Sequence, residues 1–169
     1  MSVKDAGVEV TALPILEGIE RLPLAVAMRE SFWLYPTVES LHIAGIAGLF
    51  GTVLLLDLRL LGLGRGVLLS PLIRLVVPVS LASLVLVVLT GSLMFLAHAR
   101  EFVALPLFVY KIGFIMLLLT NAAVLHLRAA GHSDDPRAHR LGGLGHIQVA
   151  LSIFGWLCVI GMGRWLAYV

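Results

Sequence analysis

The sequence predicts an all-α integral membrane protein, an antiparallel four-helix bundle preceded by an N-terminal interfacial amphipathic helix. Three observations predict it. Hydrophobic residues make up 60% of the 169 residues and charged residues only 13%, with a mean hydropathy of +1.03. A soluble domain carries roughly 25% charged residues and could not cover its surface with so few. Four long stretches lack charge almost entirely, and none alternates polar with apolar as barrel strands do, so helices are what can satisfy their backbone in lipid. The net charge of +2 reflects a scarcity of acids and bases together, with no basic stripe, which excludes nucleic-acid binding.

Residues 1–36 form the first segment. Met1 to Val10 is acidic and mixed, unlike the basic start and apolar core of a signal peptide. Glu17, Glu20, Arg21, Arg29 and Glu30 then alternate with Leu13, Leu16, Ile19, Leu22, Leu24 and Met28. That pattern suits one or two short helices lying in the interface plane, broken near Pro23. The segment reads as a surface anchor that sets the approach to the first span, or as a lid or partner dock on that face.

Residues 37–169 form the four-helix transmembrane domain, with spans at about 38–58, 72–99, 105–128 and 142–167, each long enough for about 30 Å of hydrocarbon. The first lies between Glu39 and Asp57, extended by the interfacial anchors Trp33 and Tyr35. The second opens on Ser70 and Pro71, a cap and first-turn proline. The third holds Lys111 one turn inside its start, where a lysine can snorkel to the head groups. The fourth closes with Arg164, Trp165 and Tyr168 as a basic and aromatic anchor. Short connections imply antiparallel neighbours. The loops carrying Arg59, Arg65, Arg74, Arg128, Arg137 and Arg140 favour a cytoplasmic face, placing both termini in the periplasm of a bacterial inner membrane.

With charges so scarce, polar groups inside the spans become informative. His42 and His98 belong to adjacent antiparallel spans and fall at one depth; His126 and His146 fall together at the opposite depth. Two level pairs of imidazoles facing across a bundle suit bis-histidine ligation of haem. Small residues stand beside them for close approach of the macrocycle: Gly45 after His42, Gly91 two turns before His98, Ala122 and Ala123 before His126, and Gly142, Gly143 and Gly145 before His146. Arg100 and Lys111 on one face, and Arg74, Arg128 and Arg140 on the other, are candidate partners for haem carboxylates. The pairs are separated by roughly 20 Å along the membrane normal at 1.5 Å per residue, suited to electron transfer through the membrane.

A haem-free reading stays open, in which the histidines are structural contacts or proton-relay groups of a small transporter or structural subunit. A third reading is copper or another metal on one pair alone. His132 and His139 read as surface residues of a solvated turn, with substitution for His126 or His146, or a weak metal site with Asp134 and Asp135, as the alternatives. Asn121 and Thr120 suit a bond to a neighbouring helix or a quinone head group. The single Cys158 excludes an internal disulfide or thiolate-rich centre and reads as a small core residue.

Two resemblances follow from these residues. The run from Glu30 through Trp33, Tyr35, Pro36 and Glu39 to His42, continuing past Gly51 to Asp57, Arg59 and Gly62, resembles a family of small bacterial four-helix membrane proteins of unknown function. That likeness covers nearly the whole chain and implies no activity. The layout of His42, His98, His126 and His146 is similar to that of the four-helix di-haem membrane cytochromes b. It implies two b haems and electron transfer between an outer-face redox partner and the quinone pool. The partners so implied are the lipid bilayer, quinone, and a periplasmic dehydrogenase or cytochrome.

Overall fold

The computed structural model describes residues 14–64, 66–130 and 143–166, and among these every regular element is helical. In chain order they are α1 (14–20), α2 (Pro23–Glu30), α3 (Leu34–Leu60), α4 (Leu69–Ala97), α5 (Ala99–Ala104), α6 (Pro106–Ala130) and α7 (Gly143–Trp165). The four long helices α3, α4, α6 and α7 are each long and apolar enough to cross a membrane. They carry large apolar side chains on their outer surfaces, among them Leu75, Val85, Met116 and Phe154. Surface of this kind suits lipid contact and marks a multi-pass membrane protein. His132, Asp134, Asp135, His139 and Arg140 lie outside the described residues, as does the side chain of Arg128.

The chain divides into two compact units, Met1–Gly45 with Val85–Pro106, and Ile46–Leu84 with Leu107–Val169. Helices α3 and α4 contribute one half to each.

In the first unit, Pro23 opens α2 at a position where its missing N–H costs nothing. Ala25 and Met28, three residues apart and so on one face, are fully buried. Ser31 ends α2 and caps α3, since its Oγ accepts the N–H of Leu34 at 3.2 Å. Met28, Val38 and Ala97 form the core here, with Leu34, Tyr35, Leu93 and Met94 packed against them. Arg29 joins the helix ends: its guanidinium donates to the carbonyl of Ala97 at 2.9 Å and to that of Glu20 at 2.7 Å. These are last carbonyls of α4 and α1, which lack intrahelical partners and favour a cation. The amphipathic N-terminal segment thus docks on protein at the α4–α5 junction.

The second span is expected to run to residue 99, with His98 inside it, but α4 stops at Ala97. His98 leaves the helical region with φ −137° and ψ 43° and heads the short helix α5. External partners break the ladder. Arg29 takes the Ala97 carbonyl, and the Glu20 carboxylate takes the Arg100 N–H at 2.9 Å, a donor that a continuing helix would send to residue 96.

In the second unit, Leu49, Val53, Leu118, Trp156 and Val159 form the larger core, drawing together α3, α6 and α7. Leu56, Leu69 and Val76 form a smaller one between α3 and α4. The turn joining these helices is a Schellman motif. Gly62, at φ 93°, donates to Arg59 O, and Leu63 donates to Leu58 O, the paired bonds that close a helix on a left-handed residue. The buried face of α7 follows Gly145, Val149, Ser152, Trp156 and Val159. Cys158 falls off that stripe and is exposed, so it is not the core residue its position suggests.

Candidate functional site

His42 sits half-buried on α3 in the first unit, and its Nδ1 lies 2.9 Å from Thr90 Oγ1 of α4. Proton arithmetic settles the direction of this bond. Thr90 has one hydroxyl proton and donates it to the Leu86 carbonyl at 2.6 Å, as threonines in helices commonly do. Its oxygen therefore accepts from His42 Nδ1–H, which in a neutral ring puts the lone pair on Nε2. The ring lies against Gly91, where an added Cβ would stand 3.1 Å from His42 Cε1. Gly91 thus makes room for the imidazole itself. Gly45, one turn along α3, meets Val87 and Leu86, so it serves the close approach of α3 and α4.

His98 belongs to the same unit. Its Nδ1 lies 3.2 Å from Glu101 Oε2, one turn on in α5. A carboxylate only accepts, so the neutral tautomer that bonds Glu101 carries its proton on Nδ1 and its lone pair on Nε2. Tyr35 of α3 packs edge-on to the ring, with centroids 5.7 Å apart. An oxygen acceptor on the far nitrogen is what orients and strengthens an imidazole ligand. In this respect both residues suit the role of metal ligand, but they are not level as expected: the His42 ring rests against Thr90 and Gly91, which precede His98 by about two helical turns, or about 10–12 Å along the axis.

Arg100 has other partners. Its Nε donates to Glu20 Oε2 at 2.7 Å, and its guanidinium lies 3.6 Å from Glu17. The Glu20 carboxyl is held below the usual carboxylate range, first by the Arg100 backbone N–H and then by the Arg100 side chain and charge, with Arg29 adding to them against the cost of burial. With Arg21, these four residues line a polar cleft on the first unit.

His126 of α6 and His146 of α7 both fall in the second unit. The side chain of His126 lies outside the described residues, and that of His146 is exposed. Arg74 is an exposed residue of α4. Lys111, half-buried on α6, places its ammonium over Gly163 of α7. Asn121 bonds α7, donating to the Gln148 carbonyl at 3.2 Å, whereas Thr120 donates to Met116 O of its own helix. Among the described residues no group of three or more His, Cys, Asp or Glu side chains is placed to hold a metal ion.

Sequence reasoning missed three participants. Thr90 and Glu101 look ordinary until the fold sets them on the histidines, although a hydroxyl within a span and an acid one turn after His98 are the signals that mark them. Asp57 reads as the boundary of the first span, yet it lies inside α3 and is only 2% exposed. Comparison with known proteins assigns no family: no family model matches the chain, and no curated protein or solved structure matches it.

Proposed function

We propose that the chain is a di-haem b membrane cytochrome. In this reading His42 and His98 hold one haem and His126 and His146 the other, and electrons pass between a redox partner at the outer face and the quinone pool. The observation that carries it is the paired state of the first two histidines. Each has its Nδ1 beside an oxygen acceptor, Thr90 or Glu101, the kind of partner that orients metal-ligating imidazoles. A bis-histidine haem supplies reversible one-electron chemistry when bound. The chain's own part is to fix the imidazoles: Thr90 and Gly91 set the ring of His42, and Glu101 and Tyr35 set that of His98.

Purification from haem-replete cells tests the reading. The expected product is red, with a Soret band and a reduced α band of low-spin haem at about two haems per chain. Colourless protein overturns it and leaves the haem-free reading, a transporter or structural subunit whose histidines make polar contacts.

A further inference from the structure

The second unit carries a polar seam that the histidines do not use. Asp57 of α3 is 2% exposed and Ser152 of α7 is 0% exposed, and the Ser152 hydroxyl lies beside the Asp57 carboxyl. Trp156, one turn along α7 from Ser152, shares one buried core cluster with Val53, one turn before Asp57. Among the described residues, Asp57 Oδ2, Ser152 Oγ and Trp156 Nε1 are buried without a hydrogen-bond partner. Three such atoms on one helix seam are unusual, because an orphaned buried polar group is costly and an unpaired buried carboxylate more so.

We infer that Asp57 and Ser152 form a proton-binding site of the membrane domain, exchanging its proton with water at the Arg59 end of α3. Hydrogen-bond chemistry selects a proton over other guests. A metal cation would leave the Trp156 N–H facing it, and an anion would meet the carboxylate. A proton taken up on Asp57 Oδ2 cancels a buried charge that no cation among the described residues faces, and the Ser152 hydroxyl can serve either state, as a donor to the carboxylate or an acceptor from the acid. Release returns the carboxylate and gives the proton back to water.

The location suits exchange. Asp57 lies three residues before the end of α3, about 5 Å along the axis, next to the glycine turn at Gly62 and Gly64. Ser152 and Trp156 extend the polar seam inward from there. An ionisable group so buried in a membrane span is costly to keep unless it does something.

No charge from the surrounding helices neutralises Asp57 among the described residues. Arg59 of its own helix donates to the Val67 carbonyl at 2.8 Å. On the helices packed around it, Arg74 of α4 and His146 of α7 are exposed, and Lys111 of α6 lies over Gly163. This inference does not rest on haem, and colourless protein would leave it standing.

Infrared spectroscopy of the full chain in lipid, titrated through the neutral range in H2O and D2O, tests it. The expected result is one protonated-carboxyl C=O band that fades as pH rises, shifts in D2O without unfolding, is lost in Asp57→Asn and moves in Ser152→Ala. Where Asp57→Asn fails to fold, Ser152→Ala decides, since it keeps the carboxyl and alters only its hydrogen bond. A missing band, a band that D2O never shifts, or one unmoved by Ser152→Ala overturns the assignment.

Discussion

The Nδ1–H of His42 donates to Thr90 Oγ1 at 2.9 Å across 48 residues of sequence, while Thr90 spends its own proton on the Leu86 carbonyl. One hydroxyl therefore fixes both the orientation of the imidazole and which nitrogen holds the lone pair. Thr90 is 4% exposed, so water cannot take its place.

Thr90→Val removes the acceptor at nearly constant volume. It strands a half-buried N–H and should destabilise the protein by about 1–3 kcal/mol, read from thermal melting in detergent. Where haem is bound, affinity should fall about 10–100-fold, as for other groups that orient a ligand. Thr90→Ser keeps the oxygen and should restore most of both. Equal losses in Thr90→Val and Thr90→Ser would mean that the γ-methyl, and not the hydrogen bond, sets the ring.

The Glu20–Arg100 contact predicts a pH dependence for docking of the N-terminal segment. Glu20 has its carboxyl held below the ordinary value of 4.5, chiefly by the Arg100 N–H. A carboxyl whose folded value is depressed stabilises fully above its unfolded value, and the contribution disappears as pH falls through the folded one. Hydrogen-exchange protection of residues 14–30 should be level at neutral pH and decline only on acidification below the usual carboxylate range. Glu20→Gln should weaken protection at neutral pH and flatten the dependence. An acid profile unchanged in Glu20→Gln would place the titrating group elsewhere.

The four spans were legible because lipid leaves a coarse mark: a helix crossing hydrocarbon shows as a gap between charges. That same rule hid Asp57, since an acid buried against Ser152 and an acid in a loop look alike in a charge count. The end of the second span was hidden for a different reason. Its break at His98 is imposed by Arg29 and Glu20, which lie 68 and 80 residues from the atoms they bond, and no local propensity announces them. The N-terminal segment declared itself amphipathic and non-spanning. That its apolar face meets Val38 and Ala97 is decided by packing alone. For the candidate site, His42 and Gly91 stood out as residues, but the glycine's role reversed: it accommodates the imidazole.

Glycine contacts in the second unit give a paired test of packing. A Cβ at Gly155 would run into Leu118, which is 0% exposed and cannot swing aside. Gly155→Ala should therefore cost about 1–3 kcal/mol by overpacking. Gly161, two turns on in α7, has nothing within 4 Å of an added Cβ. Gly161→Ala should be neutral or stabilising by up to about 1 kcal/mol, since alanine restricts the unfolded chain. Unfolding midpoints in detergent separate the two. Similar midpoints would show that α6 and α7 do not pack through Gly155.

Removal of single histidines tests the two-site assignment directly. His42 and His98 share the first unit and His126 and His146 the second, so each substitution should act on its own pair. His98→Ala and His126→Ala should each remove about half the haem, with the remaining half keeping a low-spin spectrum. His42→Ala should match His98→Ala, and added imidazole should restore the lost band wherever the ring alone is missing. Glu101→Gln keeps an oxygen acceptor on His98 Nδ1 and should keep the full haem content, whereas Glu101→Ala should loosen that haem about 10–100-fold. Loss at His42 and His98 without loss at His126 would reduce the protein to a single haem. Loss at His126 alone would mean that Thr90 and Glu101 orient no haem ligand.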